Sequence, residues 1–270
     1  MSARSEGVRT IVFTDLDDTL FRTARKIPEP ELARSVKVAH AGNGRHSFMT
    51  PRQRALLDWF DPARTVPVTA RGSEAFSRVQ LPFAGAAVVA NGAVILDADG
   101  VPDEAWREET RRALAPHRAS LDALPERILA EAARHGVEVR TWLVEEPGCG
   151  GIYAVAKSDD DPSGAALDGL APALGAGLGG WTVHLNGNNL ALIPPGISKG
   201  RAVARLLERS RAAGEVLAIG VGDSASDLGF MRLCDLWMTP ARSQIDALLP
   251  YSNAAEAPSA DSARTYGSSA

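Results

Sequence analysis

Three carboxylates fall within four residues at Asp15-Leu16-Asp17-Asp18, and a hydroxyl, Thr19, follows directly. The cluster comes straight after Thr10-Ile-Val-Phe-Thr14, an apolar run that reads as a buried strand. Like charges this close repel one another, and a cation relieves the repulsion. Mg2+ suits such a place, because it takes a few oxygen ligands and leaves room for waters and a substrate phosphate. A calcium loop of the Asp-x-Asp-x-Asp kind does not fit. The glycine it needs at its sixth position is Leu20, and the glutamate it needs at its twelfth is Lys26. The plain alternative is a solvated acidic turn.

A second acidic group follows a second apolar run. Val216–Val221 leads into Gly222-Asp223-Ser-Ala-Ser226-Asp227. Gly220-x-Gly222-x-x-Ala225 matches a dinucleotide fingerprint, but Asp223 stands where backbone must approach a pyrophosphate, and too little chain follows for the βαβ unit. Gly175-x-Gly177-x-x-Gly180 follows a helical stretch and reads as a turn. Lys199 follows Ser198 at a helix start, where the helix dipole already disfavours positive charge. Only four of the 29 basic residues are lysine, namely Lys26, Lys37, Lys157 and Lys199, so a lysine in an unfavourable place points to a need for a compact ammonium. Thr69 and Arg71 follow a third short apolar run; by themselves they read as a strand-end hydroxyl and a surface charge.

These residues need elements to bring them together. Strands are expected at 10–14, 65–68, 86–90, 93–96 and 216–221, and Thr50-Pro51-Arg-Gln53 has the cap, proline and glutamine of a helix start. Residues 21–49 read as irregular. After about residue 100 come helical stretches near 103–120, 122–135 and 163–174. Strand-like runs lie at 137–144 and 152–157, and a hairpin at 181–193 turns around Asn186-Gly-Asn-Asn189. A helix from Ser198 to about Ala213 ends at Gly214. Strands alternating with helices at both ends of the chain imply an α/β fold, a Rossmann-like parallel sheet with helices on both faces. The α+β middle block looks inserted. Ligands of such sheets sit beyond the carboxyl ends of the strands, where Asp15, Thr69 and Asp223 all fall.

Composition narrows the function classes. With 45% hydrophobic and 23% charged residues, the 270-residue chain is a globular protein. A net charge of −4 without a basic block argues against a nucleic-acid binder. No run of about 18 apolar residues offers a membrane span, and no signal peptide precedes Ile11. Cys149 and Cys234 lack metal-ligand spacing and read as free thiols of a cytoplasmic protein.

Taken together, Asp15-x-Asp17-x-Thr19, Thr69, Lys199 and Gly222-Asp223-x-x-x-Asp227 resemble the four motifs of the haloacid dehalogenase superfamily of phosphohydrolases, in order along the chain. The insert resembles that superfamily's C2-type cap. Ala90-Asn-Gly-Ala93 and Pro194-Pro-Gly-Ile-Ser-Lys-Gly200 are most similar to the Cof and sucrose-phosphatase branches. The chain departs from the Cof pattern at Ala70, where glycine is usual, and at Ser226, where asparagine is usual. The resemblance implies a catalytic core at 1–100 and 184–250 and a cap at 101–183; the Ala/Ser-rich composition of 251–270 predicts a disordered tail.

It also implies roles. Asp15 would be the nucleophile and Asp17 the general acid and base. Asp15, Asp17 through its carbonyl, and Asp223 would hold Mg2+, with Asp227 supporting them. Thr69 would hold phosphate oxygens, and Lys199 would offset charge. Arg71, Asn91, Asn189 and Ser226 are expected to bind substrate. The activity implied is Mg2+-dependent hydrolysis of a small phosphorylated metabolite, a sugar phosphate among the candidates, through an aspartyl-phosphate. The same chemistry would serve a phosphotransferase or phosphomutase. A receiver-type signalling module shares the acidic cluster, hydroxyl and lysine, but is about half as long and has no use for a cap. Trp106, Trp142, Trp181 and Tyr153 of the insert can stack on a sugar; packing of a small domain is the plainer reading. The histidines form no cluster and receive no role.

Overall fold

The computed structural model describes residues 7–42, 44–159, 161 and 163–249; the tail at 251–270 lies outside the described residues. In chain order, β1 (Arg9–Thr14) leads to β2 (Arg22–Thr23), α1 (Glu29–Leu32), β3 (Val36–Ala39) and β4 (Ser47–Met49). Next come α2 (Pro51–Phe60), β5 (Thr65–Pro67), α3 (Ser73–Ser77), β6 (Ala87–Val89) and β7 (Val94–Leu96). The middle holds α4 (Glu104–Leu114), α5 (Arg118–Arg134), β8 (Arg140–Glu146), β9 (Gly150–Lys157), α6 (Ala165–Gly175), β10 (Thr182–Asn186) and β11 (Asn189–Ile193). The chain closes with α7 (Lys199–Ala212), β12 (Val216–Val221), α8 (Leu228–Met231), β13 (Leu236–Met238) and α9 (Gln244–Leu248).

The main sheet has strand order β13-β12-β1-β5, with every neighbouring pair parallel. Alternate residues of β1 serve opposite faces, as the pleat requires. Ile11 and Phe13 pack with Ala202, Val203, Phe230 and Met231 of α7 and α8, while Val12 packs with Phe60 of α2. Thr14 is level with both Pro67 and Val221, so the three strands end together. Asp15 N–H donates to the Val221 carbonyl at 2.8 Å, and Val68 N–H to the Thr14 carbonyl at 2.8 Å, which carries the register one step past the strand ends. That register gathers Asp15, Thr69 and Asp223 at one edge.

The second sheet is antiparallel, in the order β10-β11-β9-β8, with α5 and α6 on one side. It contains both arms of the hairpin, because β11 pairs with β9. The cap boundary expected at residue 183 therefore falls inside β10, and the cap sheet runs to Ile193. At the other boundary, α4 leans on the parallel-sheet body. Trp106 is 3% exposed, packs with Phe13, Ala202 and Val203, and donates from Nε1 to the Gly92 carbonyl at 3.0 Å.

Residues 21–49, expected to be irregular, form a small sheet in the order β2-β4-β3 with α1 beside it. Its buried Phe21, Val38, Ala39 and Met49 share a cluster with Leu16, Leu20 and Leu57. The capping box at Thr50 is present, and its Gln53 does more than cap. Gln53 Nε2 donates to the Thr19 carbonyl at 3.1 Å and so ties the start of α2 to the acidic loop.

Candidate active site

Lys199 is the hub. It is the first residue of α7, capped by the Ser198 side chain, and only 4% exposed. Its Nζ donates to Asp15 Oδ1 at 2.6 Å and to Asp227 Oδ1 at 2.7 Å. The helix start can sit this deep because Gly92 has no side chain. A Cβ there would run into the Ser198 carbonyl, and the turn holding Gly92 has positive φ at Ala90, Asn91 and Gly92. Burial works against the Lys199 ammonium, but Asp15 and Asp227 hold it well above the ordinary lysine range.

Asp227, fully buried, has both oxygens engaged. Oδ1 accepts from Lys199, while Oδ2 accepts from Asp223 N–H at 3.2 Å, Ser224 N–H at 3.0 Å and Ser224 Oγ at 2.8 Å. Gly222 permits this fold-back, since a Cβ there would lie 2.5 Å from Asp227 Cβ. Asp227 thus positions both the ammonium and the loop that carries Asp223.

Asp15, Asp223 and Asp227 each bring a carboxylate oxygen within 4.8 Å of the others, and all three are buried. One ammonium faces three carboxylates. Burial pushes the Asp15 carboxyl well up; Lys199 opposes this, and Asp227, Asp223 and Asp17 push it further. Asp223 is pushed up to about 7, by burial first and then by Asp227 and Asp18. A buried oxygen site with excess negative charge fits a hard divalent cation. Thr19 Oγ1 donates to Asp223 Oδ1 at 3.4 Å and steadies that side.

Asp17 stands two residues from Asp15, with a side chain 48% exposed. Arg71 grips it in a fork, Nε to Oδ2 and Nη2 to Oδ1, both at 2.7 Å. Burial disfavours the Arg71 guanidinium, but the Asp17 hydrogen bonds and the charges of Asp17 and Asp15 outweigh it and raise its pKa. The loop bearing Arg71 is fixed on both sides by the cap. Tyr153 Oη donates to the Ala70 carbonyl at 2.5 Å. Glu146, 3% exposed, accepts from Ser73 N–H and Oγ, both at 2.6 Å, and supplies the N-terminal cap that Gly72 cannot give α3.

The structure brings together Asp15, Asp17, Lys199, Asp223, Asp227 and Arg71. Thr69 is 1% exposed and accepts from Arg71 N–H at 3.1 Å, shaping the loop. Ser226 reaches the site through Ser224, at 2.8 Å between hydroxyls. Asn91 is 5% exposed, inside the left-handed turn against α7. Asn189 stands exposed on the cap sheet, opposite Lys157 on β9. Sequence reasoning missed Glu146 and His184. His184 is half-buried, and its pKa is pushed down by burial and by Lys199, with Asp227 opposing. Their signal was alternation within the cap strands, which becomes readable only once the strand pairing is known.

No family model matches this sequence, and no curated protein matches it. Solved structures do share its architecture. A Thermoplasma acidophilum protein is similar over 87% of this chain and 86% of its own, with a TM-score of 0.54 at 14% identity. The C-terminal domain of trehalose-6-phosphate phosphatase from C. albicans is similar over 83% of this chain and 73% of its own, with a TM-score of 0.51 at 12% identity. A Streptococcus mutans protein is similar over 88% and 89%, with a TM-score of 0.50 at 15% identity. At these identities the likeness is one of fold. The chain has the α/β core with an inserted α+β cap that its resemblance to the haloacid dehalogenase superfamily implies.

Proposed function

We propose that this protein is a Mg2+-dependent phosphomonoester hydrolase that acts on a small phosphorylated metabolite, a sugar phosphate being the leading class. The observation that carries this reading is the Lys199 ammonium held between Asp15 and Asp227, beside Asp223 and two residues from a half-exposed Asp17. The fold shared with a trehalose-6-phosphate phosphatase domain is consistent with it.

Asp15, Asp223 and the Asp17 carbonyl would hold the cation. When bound, it would withdraw charge from the phosphoryl oxygens. In the first half-reaction an Asp15 oxygen attacks phosphorus, the bond to the ester oxygen breaks, and Asp17 gives that oxygen its proton. In the second, Asp17 takes a proton from water, the water oxygen attacks phosphorus, and the bond to Asp15 breaks to release phosphate. Lys199 offsets the charge of two anions brought together. Asp17 can act as an acid only when the Arg71 fork opens, and an incoming phosphate dianion competes for that guanidinium.

The test is phosphate release from p-nitrophenyl phosphate and a panel of sugar phosphates with Mg2+, for wild type and Asp15→Asn. Release by wild type alone is expected. No release from any ester, or undiminished release by Asp15→Asn, would overturn the assignment.

A further inference from the structure

The cap sheet turns one face toward the catalytic carboxylates, and strand pairing lays that face out as rows. Tyr153 reaches Ala70 on the core, so Tyr153, Val155 and Lys157, alternate residues of β9, share this side. Register then places Trp142, Val155, Ala191 and His184 in one row and Arg140, Lys157, Asn189 and Asn186 in the next. His184 feels the charges of Lys199 and Asp227. The Lys157 row lies two residues along the strands and, at Lys157, two strands across, roughly 12 Å from His184 between Cα positions.

Lys157 is one of only four lysines in the chain, and two others, Lys199 and Lys26, already serve this cleft. Lys26 pairs with Asp18, whose charge acts on Asp223. Lys157 is half-buried and, among the described residues, its ammonium has no ion-pair or hydrogen-bond partner. Among the described residues, the charges acting on it are Arg25, Arg45 and Arg140 against the carboxylate of Asp159. That carboxylate is already divided, Oδ1 to Arg45 and Oδ2 to Arg140, each at 2.6 Å. Arg25 bonds a neutral group, donating from Nη2 to Asn188 Oδ1 at 3.4 Å, and Asn188 is itself fixed by donating to the Ser158 carbonyl at 2.7 Å. Burial and the surrounding guanidiniums push the Lys157 ammonium below its ordinary pKa. An ammonium half removed from water and without a partner among the described residues is a place that an anion stabilises.

We propose that Lys157 and Arg25, at the seam between the cap sheet and the 22–49 segment, form a second anion subsite that binds an acidic group on the leaving portion of the substrate. This rests on the phosphatase reading above and sharpens it: the substrate is an acidic sugar phosphate, bearing a carboxylate or a second phosphate, and not a neutral one. Trp142, 39% exposed in the neighbouring row, carries the Arg140 guanidinium over its ring, 5.9 Å from the centroid, beside Lys157.

Two matched pairs of esters test this: glucose 6-phosphate against 6-phosphogluconate, and fructose 6-phosphate against fructose 1,6-bisphosphate. The first pair adds a carboxylate and the second a phosphate, so the pair that discriminates identifies the group. Wild type is expected to favour the acidic member of at least one pair by about tenfold or more in kcat/KM, as one charge-assisted contact supplies. Lys157→Gln should bring that ratio close to unity, mainly through KM, whereas Lys37→Gln, at an exposed lysine of β3, should keep it. Equal use of both members of each pair by wild type, or a preference that survives Lys157→Gln, overturns the subsite. If no ester is hydrolysed, p-nitrophenyl phosphate included, the phosphatase reading fails, and calorimetric binding of the same four probes decides the subsite separately. Tighter binding of an acidic member, lost in Lys157→Gln, supports it; equal binding overturns it.

Discussion

Asp15→Asn and Asp227→Asn make the same chemical change around one ammonium, yet the structure separates their consequences. Asp227 is fully buried and accepts four hydrogen bonds, one from Lys199 and three from the 223–224 backbone and hydroxyl. An amide in its place presents NH2 to donors in either orientation. It leaves part of that set unsatisfied and takes away one of the two carboxylates that compensate Lys199. Breaking a buried pair by removing one partner costs about 3–5 kcal/mol. Asp15 has a different balance. Its carboxylate accepts from Lys199 at 2.6 Å, but burial and three neighbouring carboxylates disfavour its charge. A carboxyl with a raised folded-state pKa favours folding below its unfolded value, and that advantage is lost as pH rises through the folded one. At neutral pH without metal, the neutral amide should therefore leave stability within about 1 kcal/mol of wild type. Urea unfolding in EDTA, followed by circular dichroism with linear extrapolation, measures both variants. Equal losses for the two, or a loss below about 1 kcal/mol for Asp227→Asn, would refute this account of the charge cluster.

Chelation with EDTA should abolish hydrolysis, and Ca2+ should not restore it, because its longer bonds and higher coordination let both Asp15 oxygens turn to the metal; comparable rates in Ca2+ would count against the site. Asp223, raised to about 7, holds a proton below that pH and releases it on metal binding. Mg2+ titrations of activity should therefore show half-saturation moving to higher concentration as pH falls through about 7, and a pH-independent midpoint would contradict this. Trp106→Ala should cost about 3–5 kcal/mol as a core deletion, whereas Trp142→Ala, on the exposed cap face, should cost about 1 kcal/mol or less; thermal melts decide. Glu146→Gln should lower stability by about 0.5–2 kcal/mol, the worth of a helix cap, and an unchanged melting temperature would show that this contact does not stabilise the closed cap.

What was legible in the sequence was local. Asp15 and Asp223 follow apolar strands directly, so their place at the sheet edge could be read from the chain, and the odd position of Lys199 stood out against an arginine-rich background. The 21–49 segment was not legible, because β2 has two residues and β4 three, too short for any period to show. Asn91 sits in a turn that needs a residue tolerating positive φ, and that need looks the same in sequence as a ligand contact. His184, Glu146 and Lys157 were hidden for another reason. β9 is apolar on both faces, Ile152-Tyr-Ala-Val-Ala156, so its alternation carries no polar signature. Only the pairing of β9 with β8 and β11 shows which side meets the core.

Tyr153 and Glu146 grasp the core at Ala70 and Ser73, on either side of Arg71. The residue that holds Asp17 is therefore suspended between two points that belong to the cap. Were the cap to lift, α3 would lose its borrowed cap and the Arg71 loop both moorings at once, so the setting of Asp17 depends on how the cap is seated. On the phosphatase reading proposed above, the seating of the cap would set how readily the Arg71 fork yields Asp17, and a bulky molecule that held the cap off would alter that setting even if its phosphate reached Asp15. Discrimination by size would then be exercised through proton transfer.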